Sequence, residues 1–343
     1  MPRAAVLSSL SAGIVVLAVL ALITGSFAIP VTDAVRVLFG LPVENTTAEV
    51  LIQQIRIPRM VTAAAAGAAL SVAGLQLQTL FRNPLADPFS LGVASGASLG
   101  VALSLMGTGA LIGTGFVAGL GVFERFGTVA AAAAGSAAVL LLVLALFRVV
   151  KLPVTLLIIG VMVGSAITAL VSLLLAWTDP QRAQEFIVWG MGSFSGTSGA
   201  DLWILGGCVI AGLAIAGLAV KPLNSLLLGE AYAKSVGVRV SRLRTLVLVN
   251  ASLLTGTVTA FCGPIGFIGI AAPHAARRLI GTSDHRVLMP ATALTGCCAA
   301  LGCSVVSMLP GQVVPINVIT SLLGAPIVVV MLLRSKALQG VAA

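Results

Sequence analysis

The sequence predicts an all-α polytopic membrane protein of about ten transmembrane helices, with both termini cytoplasmic. Three observations lead there. Only 29 of 343 residues are charged, 19 Lys or Arg and 10 Asp or Glu; this is 8%, against about 25% in a soluble domain. Apolar residues reach 59%, with 38 Gly besides, more apolar surface than a water-soluble fold of this size can hide. The cations sit in short gaps between long apolar stretches instead of forming a patch. A soluble enzyme and a disordered chain are excluded by these numbers, and 5 Cys are too few for a disulfide-stapled secreted scaffold.

A bilayer-crossing helix needs about 20 mainly apolar residues at about 1.5 Å rise each. Ten segments meet that rule: 6–29, 60–81, 92–113, 127–147, 154–177, 202–220, 245–262, 265–280, 287–309 and 316–333. The first follows Met1-Pro2-Arg3 and is too long for a signal-peptide core, so it reads as an uncleaved span. The eighth is short and carries Pro273 and His274. Together they make one transmembrane domain, 1–343, with its longest inner loop at 221–244.

Ten crossings return the chain to the side it left, and the charges say which. With the N-terminus inside, the inner face holds Arg3, Arg82, Arg148, Lys151, Lys221, Lys234, Arg239, Arg242, Arg244, Arg277, Arg278, Arg286, Arg334 and Lys336. The outer face keeps Arg36, Arg56, Arg59, Arg125 and Arg182, so the split is fourteen to five. This is the bias that holds cytoplasmic loops inside. It accounts for the net +9 without nucleic acid, whose recognition needs aromatic platforms in a chain where Tyr occurs once.

Several chemistries are missing. There is no phosphate-cradling G-x-x-x-x-G-K-[ST] loop. The two His, His274 and His285, have no second ligand at metal spacing, and the Cys read as small packing residues, so no metal site is expected. All ten acids lie at span ends or in loops, whereas an ion-coupled carrier places ionisable groups within its spans. Sodium coordination by backbone carbonyls would be the remaining route for such a carrier. Small-residue runs, Ala63 to Ala69 with Gly67 and Ala130 to Ala134 before Gly135, read as close helix packing.

Four polar segments carry more specific information. Arg56-Ile57-Pro58-Arg59 places two guanidinium groups at a helix start, against the helix dipole. Capture of carboxylates on a partner would give them a purpose, and snorkelling to lipid phosphate is the plainer alternative. Arg82-Asn83-Pro84-Leu85-Ala86-Asp87-Pro88 stops a helix with two prolines four apart, a rigid turn that makes a candidate gate. Leu228-Gly229-Glu230-Ala231-Tyr232-Ala233-Lys234-Ser235-Val236-Gly237 reads as a short loop helix over 230–236 ended by Gly237. The fourth runs Gly263-Pro264-Ile265-Gly266-Phe267-Ile268-Gly269, then Pro273-His274, Arg277 and Asp284-His285-Arg286.

In this order and spacing, together with Trp189-Gly190-Met191-Gly192-Ser193 and Leu323-Gly324-Ala325-Pro326, the segments resemble the FecCD-like permease subunits of type II ABC importers. That family handles iron-siderophores, haem and cobalamin, and the resemblance covers roughly residues 50 to 335. It implies a type II importer architecture in a bacterial cytoplasmic (inner) membrane. It further implies pairing with a second permease copy, identical or a paralogue. Two ATP-binding subunits would dock inside, with ATP and Mg bound there and no cofactor on this chain. A periplasmic or lipid-anchored substrate-binding protein would dock outside. By the same resemblance Arg56 and Arg59 meet acidic residues of the binding protein. Asn83, Pro84 and Leu85 form the inner gate, with a second part near Pro153 to Thr155. Gly229, Glu230, Ala233, Lys234 and Gly237 belong to the coupling helix.

The chain also departs from the pattern. Gly302 and Val306 stand where many relatives carry an acid and an Arg, and Val313-Val314-Pro315-Ile316-Asn317 replaces a Glu-Leu-Pro-(Val/Ile)-Gly run. Ser165, Thr168, Ser172, Thr320 and Ser321 are the expected lining of a passive pathway for a large amphipathic chelate, with ferric-siderophore first. The rival classes are an ion-coupled secondary transporter and a membrane-embedded enzyme; the latter needs convergent His, Asp or Glu that the sequence lacks.

Overall fold

The computed structural model describes every residue except 1–2, 26, 28, 44–45, 112–120, 150–152, 309–312 and 341–343. Among the described residues it is all-helical, without a strand. In hydrocarbon an unbonded N–H or C=O has no water to turn to, and a helix satisfies both internally.

Helix α1 (Arg3–Ile23) is followed by two short helices, α2 (Val31–Leu38) and α3 (Thr46–Leu51). A π-helical turn, Ile52–Arg56, leads into α4 (Ile57–Phe81). After a 3-10 turn (Pro88–Leu91) come α5 (Val93–Leu111), α6 (Gly121–Val149) and α7 (Pro153–Ala176). Short α8 (Pro180–Gly190) precedes α9 (Gly199–Leu227), and α10 (Glu230–Ser235) joins it to α11 (Val240–Cys262). The chain ends with α12 (Ile268–Ile280), α13 (His285–Val306) and α14 (Ile316–Gly340).

Each apolar segment expected from sequence has its helix, but the first ends at Ile23, short of the expected 29. Among the described residues seven helices have the length and hydropathy to cross a bilayer. Two more, Val93–Met106 and Ile316–Val330, are shorter apolar stretches. Helix α12, at 13 residues, covers about 20 Å of a core about 30 Å thick. It starts at Ile268, later than the expected 265, because the preceding backbone is irregular: Gly263 has φ 73° and Phe267 φ 67°. The inner loop is tighter than 221–244, since α9 runs on to Leu227 and α11 begins at Val240. Leu223 and Leu226 of that extension are buried, which gives the extra turns a packed face. Lys151 and the expected span ends 112, 113 and 309 lie outside the described residues.

Helix α4 forms the centre, buried along most of its length from Thr62 to Phe81. Glycine makes its contacts possible. A methyl on Gly67 would lie 2.2 Å from the Gly296 carbonyl oxygen of α13, and one on Gly74 1.9 Å from that of Gly269 in α12. A methyl on Gly100 would likewise lie 1.9 Å from the Ala131 carbonyl oxygen, so α5 and α6 touch backbone to backbone. Association in lipid rests on such van der Waals contact. One acid expected in a loop is folded inward: a methyl on Gly269 would come 2.7 Å from Asp87 Oδ1 and 3.1 Å from Pro88 Cδ. The carboxyl thus sits beside the first turn of α12, where the helix dipole favours negative charge.

Candidate gate, pathway and coupling site

The turn after α4 is built from its own backbone. Arg82 takes a left-handed C-cap conformation, φ 48°, and Pro84 cannot continue a helix. Asn83 N–H donates to Gln78 O at 3.2 Å, and Ala86 N–H to Asn83 O at 3.1 Å. Asn83 Oδ1 accepts from the Leu85 N–H at 3.0 Å. His274 Nε2 of α12 bonds Pro84 O at 3.0 Å, pinning the turn from the side. Leu85 stays 38% exposed, so a rigid turn presents an apolar tip. Thr155 is half-buried near the start of α7, on a separate helix from Asn83, Pro84 and Leu85. The contact that links these parts lies further along α7, where a methyl on Gly92 would be 3.2 Å from Gly160 O.

On α7, Ser165, Thr168 and Ser172 share a face with Gly164 and open into a cavity of about 650 Å³ that Phe89 and Ser95 help to line. Each hydroxyl donates to a carbonyl four residues back, at 3.0, 2.9 and 3.0 Å. Oxygen lone pairs therefore remain available on a helix whose other outward residues include Ile158, Met162, Leu170 and Leu173. Ser321 lies in a second opening of about 500 Å³, with Met191, Asn317 and Leu322. Thr320 does not join it. It is 3% exposed and its hydroxyl reaches Asn317 O at 3.3 Å, so it is turned into the packed side of α14, about 100° round the helix from Ser321.

The outer ends interlock through three irregular pieces. Asn317 N–H donates to Met191 O at 3.1 Å, Ile316 N–H to Gly192 O at 3.3 Å, and Ser193 N–H to Cys262 O at 2.8 Å. Asn317 Oδ1 accepts from Gly266 N–H at 3.4 Å. Asn317, one of the residues departing from the family pattern, thus ties α14 to the segment ahead of α12. Val306 is exposed, and Gly302 has open space at its Cα.

Arg56 and Arg59 are buried against carbonyls of their own chain. They are 8% and 7% exposed. Arg56 donates to Leu22 O at 2.5 Å and to Phe27 O. Arg59 Nη2 donates to Ser304 O at 2.8 Å and to Ser307 Oγ at 2.5 Å. Both guanidinium groups therefore sit at the C-terminal ends of α1 and α13, where a helix dipole favours positive charge. The unfavourable position at the start of α4 is offset there, which accounts for two buried cations held by carbonyls.

Inside, α10 is one turn and a half long and ends in an αL cap. Gly237 has φ 85°, and Val238 N–H bonds Ala233 O at 2.9 Å, the six-to-one bond of a Schellman end. Gly229 enters with φ 122°, a conformation that favours glycine. Glu230 pairs with Arg244 at 2.7 Å and Lys234 at 3.1 Å. Ala233 is fully buried and faces its own subunit, whereas Leu228, Tyr232 and Val236 are exposed at 69%, 46% and 51%. Their i, i+4, i+8 spacing was a legible signal that the family-based choice of residues passed over. Between α9 and α13, Asn224 Nδ2 donates to Asp284 Oδ1 at 2.6 Å. Asp284 also caps α13 through the Arg286 N–H at 2.9 Å. These bonds, the Arg286 one foremost, hold the carboxyl below its ordinary range.

Among the described residues no group of three or more His, Cys, Asp or Glu could hold a metal. Comparison with known proteins then places the chain. The FecCD transport family model matches residues 13–334. The vitamin B12 import system permease protein BtuC of Klebsiella pneumoniae is 35% identical over 294 residues, 84% of each chain. An ABC transporter permease protein of Methanocaldococcus jannaschii is 33% identical over 326 residues, 90% of each. Among solved structures, a metal-chelate type ABC transporter in an inward-facing conformation aligns with TM-score 0.81 and 30% identity, over 96% of this chain and 98% of that one. With a polytopic helical body, an exposed inner turn and a hydroxyl-lined opening, the chain belongs to the FecCD transport family and is a membrane-spanning permease of a type II ABC importer.

Proposed function

We propose that this permease pairs with a second copy to form the pathway for a metal chelate, driven by two ATP-binding subunits and loaded by a substrate-binding protein in a bacterial inner membrane. The observation that carries the reading is the Ser165–Thr168–Ser172 face over a 650 Å³ cavity on an otherwise apolar helix. A polar stripe turned to lipid would be costly, so it belongs against a partner copy or a water-filled path. Weak, neutral hydroxyls suit a bulky amphipathic cargo that must pass without being held.

Leu228, Tyr232 and Val236 around α10 supply the apolar peg for an ATP-binding subunit, and Glu230 and Lys234 flank it. Gly229 and Gly237 define its two ends. Asn83, Pro84 and Leu85, with Thr155 on α7, form the inner gate. Arg56 and Arg59 hold the ends of α1 and α13 and so shape the outer rim on which a binding protein docks. The chelate is proposed to be cobalamin ahead of ferric-siderophore or haem, because several permeases similar to this chain are vitamin B12 import proteins.

The test is ATP hydrolysis by the permease in lipid nanodiscs with its cognate ATP-binding subunit and the binding protein loaded in turn with cobalamin, ferric-siderophore or haem. Stimulation by the cobalamin-loaded form supports the whole reading. Stimulation by another loaded form keeps the importer and corrects its cargo. Failure to assemble with the ATP-binding subunit reopens the secondary-transporter reading.

A further inference from the structure

The coupling helix α10 hangs from the last turn of α9 by only Leu228 and Gly229. That last turn is grasped twice by the last turn of α4, the turn that leads into the gate. In the first grasp, Arg82 Nη2 donates to Leu226 O at 3.0 Å and lies 3.4 Å from where a methyl on Gly229 would sit. The second grasp passes through α13. Asn224 Oδ1 accepts from His285 N–H at 2.9 Å and contacts His285 Nδ1 at 2.8 Å. The other ring nitrogen, Nε2, meets Thr79 Oγ1 of α4 at 2.9 Å. His285 is 1% exposed.

End-capping alone does not explain this set. Asp284 already caps α13, and Arg82 satisfies its own N–H through Thr79 O at 3.4 Å. The imidazole uses both nitrogens to bridge different helices, and a buried polar bridge with both ends satisfied is stiff. Thr79, His285, Asn224, Leu226 and Arg82 close a ring between α4 and α9. Arg82 is also the residue immediately before Asn83, so a pull on its side chain acts on the turn with no slack between.

We infer that Arg82 and the Asn224–His285–Thr79 bridge are positioning residues that carry displacement of the coupling helix to the gate turn Asn83–Leu85. The inference rests on the importer reading above and adds the route by which the motor opens the gate. None of these side chains need touch cargo or nucleotide.

The experiment uses the assembled complex with ATP-binding subunits in nanodiscs, reading two quantities from each sample. One is the ATP hydrolysis rate. The other is the distance between spin labels at Leu85→Cys of the two copies, in a background with the five native Cys replaced, without nucleotide and with ATP plus vanadate. The variants are Arg82→Ala, Asn224→Ala and Arg82→Lys. The inference expects hydrolysis in Arg82→Ala and Asn224→Ala while the population of labels that shift with ATP falls about tenfold or more, since each variant loses at least one charge-assisted bond between two states. Arg82→Lys should restore the shift, since a single carbonyl needs only one donor. A full ATP-driven shift in Arg82→Ala and Asn224→Ala would sink the link. Parallel loss of assembly, hydrolysis and shift, without rescue by Lys, would also overturn it and leave a purely structural role. A wild-type chain that recruits no ATP-binding subunit fails differently, taking the importer reading down with the link.

Discussion

Arg59 shows what a single side chain does here. Its guanidinium is 7% exposed and bonded to Ser304 O and Ser307 Oγ, so Arg59→Ala removes two charge-assisted bonds at once. A loss of about 2–3 kcal/mol follows for bonds to a buried charge, seen as a lower denaturation midpoint in detergent. An unshifted midpoint would show that these bonds do not hold the end of α13. From sequence it was legible that Arg56 and Arg59 do not serve the dipole of α4. The carbonyls they bond were not, because these lie 34 and 245 residues away along the chain. The same limit explains Thr320 and Ser321. Hydroxyl content is visible in a sequence, but which of two neighbours faces a cavity depends on the rotation of α14, set by Asn317 and the outer interlock. The ends of α10 fared otherwise: Gly229 and Gly237 were readable, since positive φ is a local demand that glycine meets.

At the scale of the element, α4 depends on two glycines spaced seven apart, each against another backbone. Gly74→Leu would put a branched side chain where 1.9 Å is available to the first carbon, so α12 must be pushed away. The expected result is loss of monodisperse protein on size-exclusion chromatography, while Gly302→Leu, placed in open space, should elute normally. Gly237→Ala is milder, costing about 1 kcal/mol for a strained αL cap, and should show as faster proteolysis in the 228–239 loop. Helix identity and most boundaries were legible because hydropathy is local. The start of α12 was not, since Gly263 to Phe267 is held irregular by Trp189–Ser193 and by Asn317, none of them nearby in sequence. The inward fold of Asp87 was hidden for the same reason: only the bare backbone of Gly269 makes room for it.

For the whole molecule, transport should separate from hydrolysis. Ser165→Leu, Thr168→Leu and Ser172→Leu together make the lining face apolar without touching α10. Uptake into proteoliposomes should fall at least about tenfold with ATP hydrolysis kept; equal uptake would remove those hydroxyls from the pathway. Leu228→Asp with Tyr232→Ala should weaken recruitment of the ATP-binding subunit about tenfold or more, read by co-purification. The class of machine was legible as a whole, from composition, charge asymmetry and ordered segments, whereas the cargo leaves no comparable mark on a passive path. Those two kinds of contact also respond differently to temperature. The glycine seams of α4 are made in lipid, where dispersion and not water release holds helices together, whereas the peg of α10 meets water, and apolar burial from water weakens on cooling. Chilled, the assembly should therefore let go of its motor while the membrane body stays intact, and rewarming should rejoin them.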